Sequence, residues 1–217
     1  MKVEDVSFPD PARNLEYDDE MLRRVDAADS GDVLRFWHAP SVFVVLGWTC
    51  REELEVNTHA CRQDNIPVLR RSSGGGTVVQ GPGCLNFSLV LSKARHPDIV
   101  SITRSYQYIL SRVIRALDAC GVAAELRPLC DLVLSAGEKK FSGNAQRRCH
   151  RYILHHGTIL HDMDLALVPR YLCMPPKMPD YRRGRPHGDF VTNVKLDVPV
   201  FKKALADVWA GGAGGVF

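Results

Sequence analysis

Arg70 to Leu91, RRSSGGGTVVQGPGCLNFSLVL, carries five glycines in its first fourteen residues, at 74, 75, 76, 81 and 83, and then becomes an apolar run. Consecutive glycines are costly to order, so a folded chain keeps three together where the backbone must turn sharply or approach another group closely. Two readings follow. The glycines turn a hairpin with φ > 0, or they leave N–H groups bare for an anionic ligand, with the arginines and serines before them adding charge and hydroxyls. Val68 to Arg71 reads as the strand entering this loop and Leu85 to Leu91 as a buried strand leaving it. No helix opens behind the glycines and there is no GxxxxGK[ST], which excludes a Rossmann fingerprint and a P-loop.

The surrounding pattern is helices with mainly hairpin-connected strands and no regular βαβ alternation. This predicts an α+β domain with a mixed, mainly antiparallel sheet. Asn14 to Ala28 reads as a helix capped by Asn14. Val33–Trp37 and Ser41–Gly47 read as a strand pair turning at Ala39-Pro40, and Glu52–Asn65 as helical. Ile102, Tyr106, Ile109, Val113 and Leu117 mark a long amphipathic helix over Ile99–Cys120, suited to covering a sheet. Further strands are expected at 123–127, 131–134, 139–147 and 151–160, then helices at 164–172 and 200–210. The tail from Gly211 is expected to fray. With 217 residues and no visible boundary, one domain over 1–217 is expected.

A net charge of +3 is too small to argue nucleic-acid binding. No apolar run approaches the length of a membrane span, and the polar, acidic start does not read as a signal or transit peptide. Seven cysteines without CxxC spacing point away from zinc and from a disulfide framework, so a reducing cytoplasm is the expected location.

The second informative stretch is DLVLSAGEKKFSGNAQRR, followed by LHHGTIL. If Lys140–Gln146 is a strand, Lys140, Ser142 and Asn144 share a face. A lysine beside such small residues either touches a bound carboxylate or phosphate or is simply solvated. His155-His156 is either catalytic or a hydrogen-bonded core pair. Ser72 and Ser73 show no His/Asp arrangement in the sequence.

Taken together and in this order, the RRSSGGG loop, the KFSGNAQ strand and LHHGTIL resemble the lipoate–protein ligase A family, within the biotin/lipoate ligase and octanoyltransferase group. The resemblance runs from about Leu15 to Leu172. It implies a sheet domain related to biotin ligases and class II synthetase cores. It also implies lipoate activation by ATP to lipoyl-AMP, then transfer to a lysine of an acceptor domain, of the 2-oxoacid dehydrogenase E2 or glycine-cleavage H type. Arg70, Arg71, Ser73 and Gly74, Gly75 and Gly76 would wrap the acyl group and adenylate phosphate. Lys140 would contact carbonyl and phosphate, with Asn86, Gly143, Asn144, Ala145, His156 and Gly157 beside it.

Three departures bear on this. Such ligases often carry Asn-Asp before the lysine strand. Here the pair is Cys130-Asp131, leaving Asp131 as the candidate for Mg²⁺. Well-known ligases carry an extra C-terminal domain, of about a hundred residues; this chain resembles ligases without that domain, or ones that obtain it from a separate polypeptide. Cys173, 33 residues beyond Lys140, stands close to where octanoyltransferases of this fold place a nucleophilic cysteine. The alternatives are therefore a cysteine-dependent octanoyltransferase or a non-catalytic lipoyl-binding subunit. Arg147, Arg148, Arg151, Arg182, Arg183 and Arg185 either meet an acidic acceptor domain or form a solvated face.

Overall fold

The computed structural model describes residues 1–128 and 130–211, so the glycine tail expected to fray lies outside the described residues beyond Gly211. The main sheet has seven strands in the order β1 (Lys2–Asp5), β2 (Val33–Trp37), β6 (Cys84–Ser92), β10 (Tyr152–Leu160), β9 (Lys140–Arg148), β8 (Asp131–Leu134) and β7 (Ala124–Arg127). All neighbours are antiparallel except β1 and β2. A second, three-stranded sheet runs β4 (Val68–Arg70), β3 (Phe43–Leu46), β5 (Val78–Gln80). The α+β class with a mainly antiparallel sheet is the fold found.

Two local expectations are corrected. β2 and β3 do not pair; each joins a different sheet, and residues 38–42 carry the chain between them. Both strands are buried on both faces, so neither shows the alternation that would have told a hairpin from a crossover. Helix α1 spans Pro11–Ala28, capped by Asp10 through the Ala12 N–H and with Pro11 in its first turn. Asn14 is not its cap. It is fully buried, where its side chain holds both the N–H and the carbonyl of Phe8.

One face of the main sheet carries the apolar core. Leu34, Phe36, Phe87, Leu89 and Leu91 pack against Ile109, Val113 and Leu117 of α4 (Ile102–Asp118) and against Phe201 and Leu205 of α7 (Val198–Ala210). Each such side chain contributes about 1.5–3 kcal/mol by leaving water. Helix α4 starts at Ser101, which caps it, because Pro97–Ile99 forms a separate short turn. The opposite face is different in kind. Along β6, β9 and β10 it presents Asn86, Ser88, Gly143, Ala145, His156 and Thr158, covered by α1 on one side and by the small sheet on the other.

Candidate active site

The register of the main sheet lines these residues up in rows. Trp37, Asn86, Thr158, Gly143 and Asp131 stand opposite one another across five strands. The next row is Arg35, Ser88, His156 and Ala145. Neighbours in a row are separated by about 4.8 Å, the strand spacing.

A bulge puts Lys140 on this face. Leu132 pairs with Ser142, but Val133 pairs with Lys140, so Phe141 is the extra residue in β9. The expectation that Lys140, Ser142 and Asn144 share a face is thereby corrected. Ser142 and Asn144 point to the core side, where Asn144 donates to the Cys130 carbonyl at 2.8 Å and faces His155. Lys140 lies instead across Gly143, where a Cβ would come within 3.1 Å of its Nζ. Its ammonium sits 2.7 Å from Asp131 Oδ1, and the Tyr181 hydroxyl donates to Asp131 Oδ2 at 2.7 Å. Burial and the Asp131 charge push that hydroxyl's pKa up, so it remains a donor. His155 is fully buried on the core side, where burial and His156 lower its pKa to about 3.

The glycine loop closes over the second row. A Cβ at Gly75 would sit 3.5 Å from that of Ala145, and Gly75 has φ +83°. The loop is tied to the small sheet: the Arg71 N–H donates to the Leu46 carbonyl at 3.0 Å and the Trp48 N–H to the Ser73 carbonyl at 2.8 Å. A side chain at Gly47 would overlap the Gly75 carbonyl oxygen. The arginines hold this geometry. Arg70 Nη1 donates to the Gly47 and Cys50 carbonyls, both at 2.8 Å. Arg71 donates to the Gly74 carbonyl at 2.6 Å and the Gly76 carbonyl at 2.8 Å.

Beneath the loop, Ser73 Oγ lies 2.6 Å from His156 Nε2, and His156 Nδ1 lies 3.7 Å from Asp18 Oδ2. Asp18 also accepts from Arg35 at 2.7 Å and from Ser88 at 2.6 Å. Burial alone would raise the Asp18 pKa; the His156 hydrogen bond and the Arg35 charge hold it below the ordinary value. The serine, histidine and aspartate that show no arrangement in the sequence are therefore connected. Ser73 is 1% exposed and also accepts from Arg71 Nε, so the array anchors the loop rather than presenting a nucleophile.

Between loop, sheet and the proline-rich segment 174–187 lies a cavity of about 360 Å³. Lys140, Asp131, Asn86, Gly143, Asn144, Ala145, His156, Gly157, Arg71, Gly75, Gly76 and Cys173 line it. Arg70, Ser73 and Gly74 do not, and act from behind. Gly157 contributes backbone only, since a Cβ there would run into Asn144 and the Phe87 ring. Trp37, Gln80 and Thr158 line the cavity as well and carry no recognisable local motif. Among the described residues no group of three His, Cys, Asp or Glu could hold a metal ion, and no helix is long and apolar enough to cross a membrane.

The arginines that could form a basic docking face have partners within the chain, although Arg151 and Arg183 remain exposed. Arg182 is 4% exposed, with its guanidinium over the Phe190 ring. Arg183 pairs with Glu138, Arg147 with Asp19, and Arg151 with Asp26. Arg148 donates to the Ile99 and Val100 carbonyls, and Arg185 to those of Tyr181 and Glu138. These side chains brace loops.

The middle of the loop yields a separable prediction. A Cβ at Gly74 or Gly76 meets nothing within 4 Å, and neither residue has positive φ. The fold alone does not require glycine there, whereas close approach of a ligand would. Gly76→Ala should therefore leave the melting temperature within about 2 °C of wild type while weakening ligand binding. Gly75→Ala should lower both, because it strains the backbone and brings a Cβ within 2.9 Å of Arg71.

Both the sequence and the fold have counterparts among known proteins. Residues 10–208 match the lipoyl protein ligase A/B catalytic domain, and the chain belongs to that family. A candidate lipoate-protein ligase A of Schizosaccharomyces pombe is 34% identical over 145 residues, 66% of this chain. The match takes in 37% of that relative's length. A structure from Thermoplasma acidophilum, described as a bi-partite lipoate protein ligase and its E2 lipoyl domain, superposes with a TM-score of 0.81 at 26% identity. It covers 97% of this chain and 82% of that one. A lipoate-protein ligase A bound with ATP gives a TM-score of 0.78 at 26% identity, over 97% and 84% of the two chains.

Proposed function

We propose that residues 1–217 act as one catalytic domain of a lipoate–protein ligase, which activates lipoate with ATP and passes the lipoyl group to an acceptor lysine. The observation that carries this reading is the cavity itself: a slot running from Trp37 along one row of the sheet to Lys140, roofed by glycine-loop backbone. In the first step a lipoate carboxylate oxygen attacks the α-phosphorus of ATP, and the bond to pyrophosphate breaks. Lys140 supplies fixed positive charge where negative charge gathers, and the backbone of Gly75 and Gly76, which line the cavity, suits the phosphate oxygens. In the second step the neutral acceptor amine attacks the acyl carbon, AMP leaves with the bonding electrons, and the amine loses its proton.

Mg²⁺ fits as a companion of the nucleotide, since it favours phosphate oxygens and water plus one or two carboxylates. Asp131 and Glu55 are the carboxylates that line the cavity; Asp131 stands beside Lys140 and would have to loosen its hold on Lys140 or Tyr181. The acceptor is a lipoyl domain of the E2 or glycine-cleavage H type, and an accessory subunit assists the reaction. The related structure described as a bi-partite lipoate protein ligase and its E2 lipoyl domain supports an E2-type acceptor and a two-part ligase.

Lipoate, ATP and Mg²⁺ should release pyrophosphate and form lipoyl-AMP, alone or with the accessory subunit; absence of both products in either case sinks the proposal. One observation favours a second reading. Cys173 is exposed and lines the same cavity as Lys140. Its backbone is pinned, with its N–H on the Glu55 carbonyl and its carbonyl facing His187 Nε2 at 3.0 Å. An octanoyl thioester on Cys173 after incubation with octanoyl carrier protein, without ATP, would establish that transferase chemistry instead.

A further inference from the structure

We infer that Glu55 receives the acceptor lysine: its carboxylate hydrogen-bonds the incoming amine and takes up the proton that the amine sheds on attacking the acyl carbon. The inference rests on the acyl-activating reading of this site proposed above, and it gives that proton a destination.

Four carboxylates are buried among the described residues, and three of them are ion-paired. Glu4 has Lys2 and Arg24, Asp18 has Arg35, and Asp131 has Lys140. The fourth is Glu55, 8% exposed, and no described lysine, arginine or histidine pairs with it. Thr77 Oγ1 donates to its Oε2 at 2.6 Å. The Cys50 thiol lies beside the carboxylate but donates to the Gly75 carbonyl at 3.2 Å; burial and Glu55 push its pKa up, so it stays neutral. Arg71 lies within reach of the Glu55 charge, yet its guanidinium donates to the Gly74 and Gly76 carbonyls. Burying a charge without a counter-charge is costly. A chain keeps one where a cation or a proton comes to it from outside.

Position gives the second argument. Glu55 lines the cavity together with Gly75, Gly76, Thr77 and Cys173. Its carbonyl accepts the Cys173 N–H at 3.0 Å, and Val56 bridges Leu172, so two segments fix it against the glycine loop. This is the open rim of the cavity. Leu54 is 45% exposed, Met174 is 42% exposed, and Cys173 is exposed. Among the described residues no group of three His, Cys, Asp or Glu gathers here to hold a metal. A protein domain offering a lysine comes to this rim, where Glu55 meets its ammonium.

The chemistry follows. A free lysine is protonated near neutral pH, so a carboxylate draws it in, and one proton passes to water before attack. The nitrogen lone pair then forms the bond to the acyl carbon. The carbon–oxygen bond to AMP breaks with its electrons staying on the phosphate. The remaining surplus N–H proton goes to Glu55, which returns it to solvent at the rim.

Single-turnover transfer from chemically made lipoyl-AMP to an E2 lipoyl domain, set beside lipoyl-AMP formation from lipoate and ATP, tests this in the full chain. Glu55→Gln should slow transfer about a hundredfold, and at least about tenfold more than it slows lipoyl-AMP formation. Glu55→Asp should recover part of the transfer rate, because it restores a carboxylate. A purely structural role predicts the reverse order, since the glutamine keeps the Thr77 hydrogen bond and the shorter aspartate does not. Equal loss in both half-reactions, wild-type transfer in folded Glu55→Gln, or an aspartate variant slower than the glutamine one overturns the inference and leaves the proposed function standing. If Glu55→Gln does not fold, Glu55→Asp alone decides: the inference holds if it slows transfer more than lipoyl-AMP formation and falls if both slow equally. A wild-type chain that neither forms nor transfers lipoyl-AMP overturns both.

Discussion

Lys140→Ala should lower lipoyl-AMP formation by about a hundredfold to a thousandfold, the scale of losing one preorganised group aimed at developing charge. The chain should stay folded. The Lys140 side chain is 25% exposed, but Asp131 is buried and keeps only the Tyr181 hydroxyl, so stability should fall by about 1–3 kcal/mol, short of unfolding the chain. Lys140→Arg should not rescue the activity. The lysine reaches its place by lying flat over Gly143, with its Cε 3.2 Å from where a Cβ would be. A planar guanidinium fork does not follow that path. Single-turnover measurement of lipoyl-AMP, alongside circular dichroism, checks both halves. Activity within tenfold of wild type in Lys140→Ala would remove Lys140 from the chemistry.

The loop and the lysine strand were legible in the sequence because each is a local motif whose residue types announce its use. What Lys140 touches was not. Its orientation follows from a bulge at Phe141, and a bulge depends on how β9 pairs with β8, which no spacing within β9 records. The separation of β2 from β3 escaped for a related reason: two short apolar strands buried on both faces look alike whether they pair or part. The arginines at 182, 183 and 185 looked like a docking face because charge in a loop is usually solvated. The folded chain turns one of them inward over Phe190. A clue to the deepest part of the site was present, however. Arg35 interrupts the apolar strand VLRFW, and an arginine there must find a buried anion.

That anion is Asp18, and removing it is the second large effect. Arg35 is 0% exposed and Asp18 2%, so Asp18→Ala leaves a buried guanidinium without its counter-charge. Arg35 keeps hydrogen bonds to the Val6 and Asn14 carbonyls and to Asn14 Oδ1, but these do not neutralise it. Breaking a buried pair in this way costs about 3–5 kcal/mol, which for a chain of this size lowers the melting temperature by about 10 °C. The pH dependence has a definite sign. The folded Asp18 pKa lies below its ordinary value of 3.8, so its contribution is complete above that pH and is lost as the pH falls through the lower, folded value. The stability gap between wild type and Asp18→Asn should thus be constant near neutrality and narrow in acid. The same substitution frees His156, and with it Ser73 and the loop. Replacing both partners, as Asp18→Leu with Arg35→Met, should restore much of the stability because no charge is left buried alone. It should not restore lipoyl-AMP formation, because His156 still lacks the carboxylate that orients it. Full recovery of activity together with stability in the double variant would reduce the network to a packing device, with no hold on the glycine loop.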